Sequence, residues 1–274
     1  VETRFKNIVA MNLGEKYGSH QDDYLNKFYY AYGSRKKERF KKMMSSIRNV
    51  YAPSNPKHAI DQPTRYYMRK YGFVPPWILL KNVTFSSAID LFSFLNSDLK
   101  RKVAFDLLGT AEPRQDYKLA LNCLYTIRKF RNAIAHNLGF ISLRLTTPKA
   151  VSRSELEREF FGTMILESDS KKIAAGDPYS MLLAMVLLLN DRDLIEDMFY
   201  EITSRILLNK DKSIAKRYSK ITNMPFNIIN RGQNFLDEKR IGPYKQLHFG
   251  MLMREDEIQD FDQKQLLDLY ACVE

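Results

Sequence analysis

The sequence predicts an all-α protein, and three observations carry that prediction. Apolar residues recur at three- and four-residue steps in segment after segment, the period of a helix with one buried face. Proline and glycine tend to fall between those segments, where a chain turns. A single stretch, Phe140 to Leu145, alternates weakly, as a short strand or an extended loop does.

Taken in order, Phe40, Met43, Met44, Ile47 and Tyr51 form the apolar stripe of a helix from about Ser34 to Tyr51. Its other face carries Arg35, Lys36, Lys37, Arg39, Lys41 and Lys42. Pro53, Pro56 and Pro63 make the following stretch a loop, and a short helix from Thr64 to Tyr71 stops at Gly72. Pro75-Pro76 starts a new turn bearing Trp77, the only tryptophan and a packing anchor between subdomains. Thr84 can cap a helix with Phe85, Ala88, Leu91, Phe92 and Leu95 on one side. Ser97 can cap the next, with Leu99, Val103, Leu107 and Leu108 apolar and Gly109 closing it.

The longest pattern runs from about Arg114 to His136, with Ala120, Cys123, Leu124, Ile127, Phe130 and Ile134 as its stripe. Ser154 with Glu157 is a capping-box signature for a helix through Phe160-Phe161. Asp177-Pro178 opens another through Leu189, and Asp191 to Leu208 forms a further one. From Lys210 the pattern loosens, broken by Pro225, Gly232, Gly242, Pro243 and Gly250, before a last short helix at Gln263 to Val273.

With 45% hydrophobic residues in 274, the chain can bury a sizeable core and is not of disordered composition. Its two cysteines, Cys123 and Cys272, form neither a disulfide framework nor a C-x-x-C pair, which argues against structural zinc. Val1 to Leu13 carries Glu2, Arg4 and Lys6 among its apolar positions, unlike a secretory signal. The most apolar run, Met181 to Leu189, is far short of the roughly 20 residues that span a bilayer. A soluble cytoplasmic protein without a membrane partner is expected.

The net charge of +11 is unevenly spread. Residues 1–80 hold fifteen Lys and Arg against six Asp and Glu, a balance of +9. Residues 81–178 hold fifteen against eleven (+4), and residues 179–274 thirteen against fifteen (−2). A basic excess concentrated in one region fits a polyanion footprint, or a solvated surface kept for solubility. The Arg35–Lys42 run grips phosphates in the first reading and is a plain solvated face in the second. Tyr24, Phe28, Tyr29, Tyr30 and Tyr32 likewise read as core at helical spacing or as platforms for unpaired bases.

Of four histidines (His20, His58, His136 and His248), only His136 has an arginine, Arg131, five to seven residues before it. Among nineteen arginines that spacing alone carries little weight, so context must discriminate. On a helical projection Tyr125, Lys129, Asn132 and His136 cluster opposite the apolar stripe, with Arg128 at its edge. Arg131 falls near the stripe's boundary, where a long side chain either snorkels to water or reaches around to its neighbours. Asn132 and His136 stand one turn apart and can touch the same ligand.

Such a trio suits RNA cleavage through the 2′-hydroxyl. Imidazoles exchange protons near neutral pH, and a guanidinium can hold two phosphate oxygens and the extra charge of a pentacoordinate transition state. An asparagine amide can orient the phosphate or the imidazole. No carboxylate cluster of metal-site spacing accompanies them, so a metal-independent, cofactor-free route is expected. DNA lacks the nucleophile, so that route selects RNA.

The segment Phe130-Arg131-Asn132-Ala133-Ile134-Ala135-His136 resembles the R-N-x-x-x-H signature of HEPN ribonuclease domains. More narrowly, Tyr71-Gly72-Phe73-Val74-Pro75-Pro76-Trp77, then Val83-Thr84-Phe85-Ser86, then the Leu-rich helix ending in Arg131-Asn132 and His136, resembles abortive-infection proteins of the AbiD/AbiF type. Many of those relatives have a second His and an Arg-Leu-Trp stretch beyond. This chain has Asn137 and Gly139-Phe140-Ile141 there.

The resemblance implies a HEPN-type helical bundle core with additional N- and C-terminal helices, and a role in defence against phage. It divides the chain into a basic helical region (1–63), a HEPN-like core (64–209) and a helical extension (210–274). It implies Arg131, Asn132 and His136 as catalytic residues, and RNA as substrate or partner. The RNA-binding residues it suggests are Arg35, Lys36, Lys37, Arg39, Lys41, Lys42, Arg128 and Lys129. HEPN ribonucleases generally join two motifs across a dimer, and this chain holds one, so cleavage of RNA implies a homodimer or a partner HEPN chain. Some of that group pair with structured small RNAs. Two functions therefore stay open: a toxin-like endoribonuclease, and a non-catalytic protein holding a structured non-coding RNA.

Overall fold

The computed structural model describes residues 1–55, 59–109, 117–207 and 212–239. His58, His248, Cys272, the start of the long helix at Arg114, Lys210 and the helix expected at Gln263 to Val273 lie outside the described residues. Among the described residues the chain is all-α: thirteen α-helices, with β-structure limited to two isolated bridges. No described helix is long and apolar enough to cross a membrane. The chain divides into two compact units.

The first unit comprises Val1–Phe140, Leu145–Ser152 and Ala184–Asn190. It opens with α1 (Glu2–Tyr17), whose pattern gives little sequence signal, followed by the short α2 (Gln21–Tyr24). Phe5, Val9, Ala10 and Leu13 of α1 are fully buried. Phe5 meets Phe85 and Phe92 edge-on at 6.1 and 5.9 Å between ring centres, within the range that favours such pairs. The Tyr24 and Tyr30 hydroxyls are spent inside the core, donating to the Val74 and Tyr24 carbonyls at 2.7 and 2.6 Å. Burial pushes the pKa of both phenols up. The aromatic cluster is thus mixed: Tyr24 and Tyr30 are core, whereas Phe28 is 82% exposed.

A 3-10 turn over Ser34–Lys36 leads into α3 (Lys37–Tyr51), where Phe40, Met43, Met44 and Ile47 are buried as the stripe requires. Next comes α4 (Thr64–Tyr71), closed by Gly72 in the left-handed conformation at φ 76°. Pro76 occupies the first turn of α5 (Pro76–Asn82), where its missing N–H costs nothing. Trp77 packs on α1: a β-carbon on Gly14 would lie 3.2 Å from its ring. In α6 (Phe85–Phe94) Thr84 accepts a hydrogen bond from the Ser87 N–H, as expected of a cap.

For α7 (Ser97–Leu108) the cap is Asn96, whose side chain accepts from the Leu99 N–H at 2.9 Å; Ser97 is already helical. Asparagine caps as well as serine, and here it sits one residue earlier. The long helix is α8 (Lys118–Ala135). Beyond it, Phe140–Ser142 forms a 3-10 turn and not a strand. Asn137 at φ 52° turns the chain, and no neighbouring strand offers the segment a ladder.

The second unit comprises Ile141–Arg144, Arg153–Leu183 and Asp191–Glu274. In α9 (Arg153–Phe160) Ser154 lies inside the helix, and Glu157 pairs with Arg153 at 3.0 Å in place of closing a capping box. Asp177 accepts from the Ser180 N–H at 2.8 Å and so starts α10 (Pro178–Leu189), whose last turns belong to the first unit. Then come α11 (Arg192–Leu207), α12 (Lys212–Thr222) and α13 (Ile228–Lys239). Gly232 lies inside α13 and does not break it: its missing side chain admits the Phe199 ring of α11. Two ionic clusters are buried here. Arg231 reaches Asp169 at 2.5 and 3.0 Å, and Arg192 reaches Glu196 at 2.7 Å and Asp237 at 3.0 Å.

In the first unit one side chain, Arg4, joins two helix ends. Its guanidinium donates to the carbonyls of Asp106 (2.8 Å), Leu107 (2.8 Å) and Leu188 (2.5 Å), at the C-terminal ends of α7 and α10. A cation there satisfies orphan carbonyls and opposes the negative end of two helix dipoles. Replacing it leaves those acceptors half-buried and unmet. Arg4→Met is expected to cost about 2–4 kcal/mol in urea unfolding, against under about 0.5 kcal/mol for exposed Lys81→Met.

Asp169 supplies a pH dependence. Burial alone raises a carboxyl pKa, but the Arg231 hydrogen bonds and charge, with the Leu166 N–H, hold Asp169 below its ordinary value. Its stabilising contribution is therefore complete above about pH 4 and lost as pH falls through the folded value. Asp169→Asn should lower the melting temperature near neutrality and flatten the loss of stability in acid, as followed by circular dichroism.

Candidate functional site

The site is built on α8. Leu119, Ala120, Cys123, Leu124, Thr126, Ile127, Phe130 and Ala133 are buried, so one face of the helix is committed to the core. The Thr126 hydroxyl also accepts from the Val151 N–H at 2.9 Å, tying the helix to the 145–152 segment. Ile134, assigned to the stripe by its spacing, is 49% exposed. The reason is position: α8 ends one residue later, and its last turn overhangs the core.

That overhang carries the motif. Arg131 and His136 are exposed and Asn132 is half-buried. The His136 N–H donates to the Asn132 carbonyl at 3.0 Å, which keeps the two side chains one turn apart at the helix end. Arg131 donates to the Asn132 side-chain oxygen across a long 3.4 Å. It therefore leans towards Asn132, and no hydrogen bond joins it to His136 among the described residues. Asn132 is the hinge of the trio.

Arg128 and Lys129 behave differently from each other. Arg128 is half-buried, donates to the Ser86 hydroxyl of α6 at 2.6 Å and stacks 4.9 Å from the Tyr125 ring centre. Its Nε is buried with no partner. Lys129 is exposed, with its ammonium 5.5 Å from the same ring. Two cations on one aromatic leave a basic patch beside the motif.

The basic residues of α3 and the turn before it are all exposed, but they do not share one face. Arg39 is drawn sideways into an ion pair with Asp90 of α6. Lys41 pairs with Glu38 at 2.9 Å, and that bond and charge hold the Glu38 carboxyl below its usual range. Lys37 and Lys41 line a groove of about 570 Å³ together with Lys27, Tyr32 and Arg48. Lys27 and Arg48 are not among the residues the sequence singles out, because their nearness to Tyr32, which is, depends on tertiary placement. Among the described residues, no three His, Cys, Asp or Glu side chains approach closely enough to hold a metal ion.

This placement separates stability from surface chemistry. Arg131→Ala and His136→Ala should each shift unfolding by under about 0.5 kcal/mol, since both side chains meet solvent. Arg128→Ala should cost about 1–2 kcal/mol through the Ser86 bond and the Tyr125 contact. Urea unfolding of the three variants checks the contrast; equal losses would place Arg131 and His136 in the packing.

No curated protein and no solved structure gives a significant match to the chain. A family model described as Abi-like protein matches residues 1–141, just over half of the sequence and all of α1 to α8. The chain belongs to the Abi-like family, which gives it an abortive-infection-related function.

Proposed function

We propose that this chain is an RNA-binding HEPN protein of the AbiD/AbiF type that cleaves RNA through its 2′-hydroxyl, without a metal, in the cytoplasm during abortive infection. The observation that carries the reading is the exposed Arg131-Asn132…His136 constellation on the overhanging end of a helix whose other face is core. In the reaction the 2′-oxygen forms a bond to the adjacent phosphorus and the bond to the 5′-oxygen breaks. The products are a 2′,3′-cyclic phosphate and a 5′-hydroxyl. His136 takes or gives the proton at one of these oxygens, Arg131 holds the non-bridging phosphate oxygens, and Asn132 orients the phosphate or the imidazole.

One imidazole per motif leaves one proton transfer unserved, which favours a homodimer that joins two motifs. Ile134 and Leu138, 49% and 61% exposed on either side of His136, supply apolar surface for such a contact. The exposed cations Arg35, Lys36, Lys37, Lys42 and Lys129 extend the polyanion footprint beyond the motif. That Arg131 donates to Asn132, with no hydrogen bond to His136 among the described residues, favours a second reading, in which the chain holds a structured non-coding RNA and does not cut it.

Labelled single-stranded RNA incubated with purified protein in EDTA tests the proposal. Cleavage leaving cyclic phosphate ends is expected, with Arg131→Ala and His136→Ala each at least about 100-fold slower. Variants that cut as fast as the parent would remove the catalytic assignment. RNA that co-purifies with an inert parent would favour the holding role.

A further inference from the structure

Lys37, Lys41 and Arg48 recur along one side of α3 and, with Lys27 from the preceding segment, line a single groove of about 570 Å³. Its floor is aromatic. Phe40 is buried, and Tyr32 lies almost parallel to it, with ring centres 4.0 Å apart and planes at 12°. Phe40 thus backs one face of Tyr32 and fixes the ring's orientation, while Tyr32 is the partly exposed member that meets the groove. A rigidly backed aromatic among cations is what a nucleotide needs: a flat surface for the base and positive charge for the phosphates on either side.

A duplex keeps its bases stacked on each other, so an unpaired base is the one that can stack on Tyr32. Arg39, although adjacent in sequence, is held by Asp90 and stands outside this arrangement. Asn49 adds a polar wall. Its side-chain oxygen is occupied by the Ser54 N–H and hydroxyl at 3.2 and 2.8 Å, which assigns the amide nitrogen as a remaining donor for a base edge.

We propose that this groove is a subsite for one unpaired nucleotide of a bound RNA strand, its base stacked on Tyr32 and its flanking phosphates held by Lys37, Lys41 and Arg48. The proposal rests on the reading of the chain as RNA-binding and adds to it a preference for single-stranded over paired RNA. It places that preference on Tyr32 and the cations of α3, residues distinct from the Arg131–His136 motif.

The test is fluorescence anisotropy with a labelled 2′-O-methyl oligonucleotide of about twelve residues, which cannot be cut, and with its blunt duplex. Tyr32→Ala should weaken single-strand binding about tenfold and leave duplex binding unchanged. Tyr32→Phe, which keeps the stacking face and the contact with Phe40, should bind as the parent does. Adenosine monophosphate is added as a competitor to separate an RNA strand from a free nucleotide as the occupant. Parental affinity in Tyr32→Ala, or an equal loss on both probes, overturns the subsite while leaving RNA binding in place. Displacement by micromolar adenosine monophosphate overturns the strand assignment. A parent that binds neither probe overturns the RNA reading itself.

Discussion

Three carbonyls at two helix ends converge on one side chain, and much of the first unit follows from that convergence. An α-helix leaves its last carbonyls without internal partners, and α7 and the last turn of α10 leave theirs in the same half-buried place. Arg4 answers both. The ends are also locked sterically: Gly109 and Asn190 both adopt left-handed conformations, and a β-carbon on Gly109 would run into the Asn190 amide. Arg4 rides on α1, so the arrangement fixes that helix among its neighbours. The fixed helix then presents Phe5 to Phe85 and Phe92 of α6 and Gly14 to Trp77 of α5. Asn12 reinforces it by donating to the Asp106 carboxylate at 2.7 Å.

Placement of the functional surface passes through α6. Its apolar side is held by Phe5, while its polar edge makes one contact after another with the two helices that carry cations. Ser86 accepts from Arg128 of α8, Ser87 bonds Ser46 of α3 at 3.0 Å, and Asp90 holds Arg39 of α3. The same edge decides which cations remain available. Arg39 and Arg128 are anchored and Lys41 is paired with Glu38, whereas Lys37, Lys42 and Lys129 project to solvent or into the groove. A charge count treats all of these as one basic patch. The packing of α6 divides them into structural and free.

What the sequence made legible was whatever local chemistry dictates. The stripe of α3, the stop at Gly72, the cap at Thr84 and the Asp177-Pro178 start each depend on residues within a turn or two. Helix α1 was illegible because its burial is arranged by distant partners, and its own pattern is weakly amphipathic. Helix α13 was hidden behind Gly232, which reads as a breaker until Phe199 is seen to fill its missing side chain. The motif was legible as a spacing, and the exposure of Ile134 was not, since a periodicity says nothing about where the core beneath it ends. Lys27 and Arg48 escaped for a related reason: a groove is a long-range fact.

The position of the motif at an overhanging helix end has its own logic. A general acid and base that act on the two oxygens of one phosphate must approach it from opposite sides, and a single helix face cannot supply both. In the proposed ribonuclease, burying His136 within its own chain would bar a second imidazole from reaching the same phosphate. On that reading the exposed helix end, with Ile134 and Leu138 beside it, leaves room for a second copy to approach the same phosphate. Such an arrangement makes activity depend on association, because the missing proton transfer arrives only with another copy. In the proposed ribonuclease that dependence is itself a restraint: one copy carries one motif, and the proposed reaction uses two.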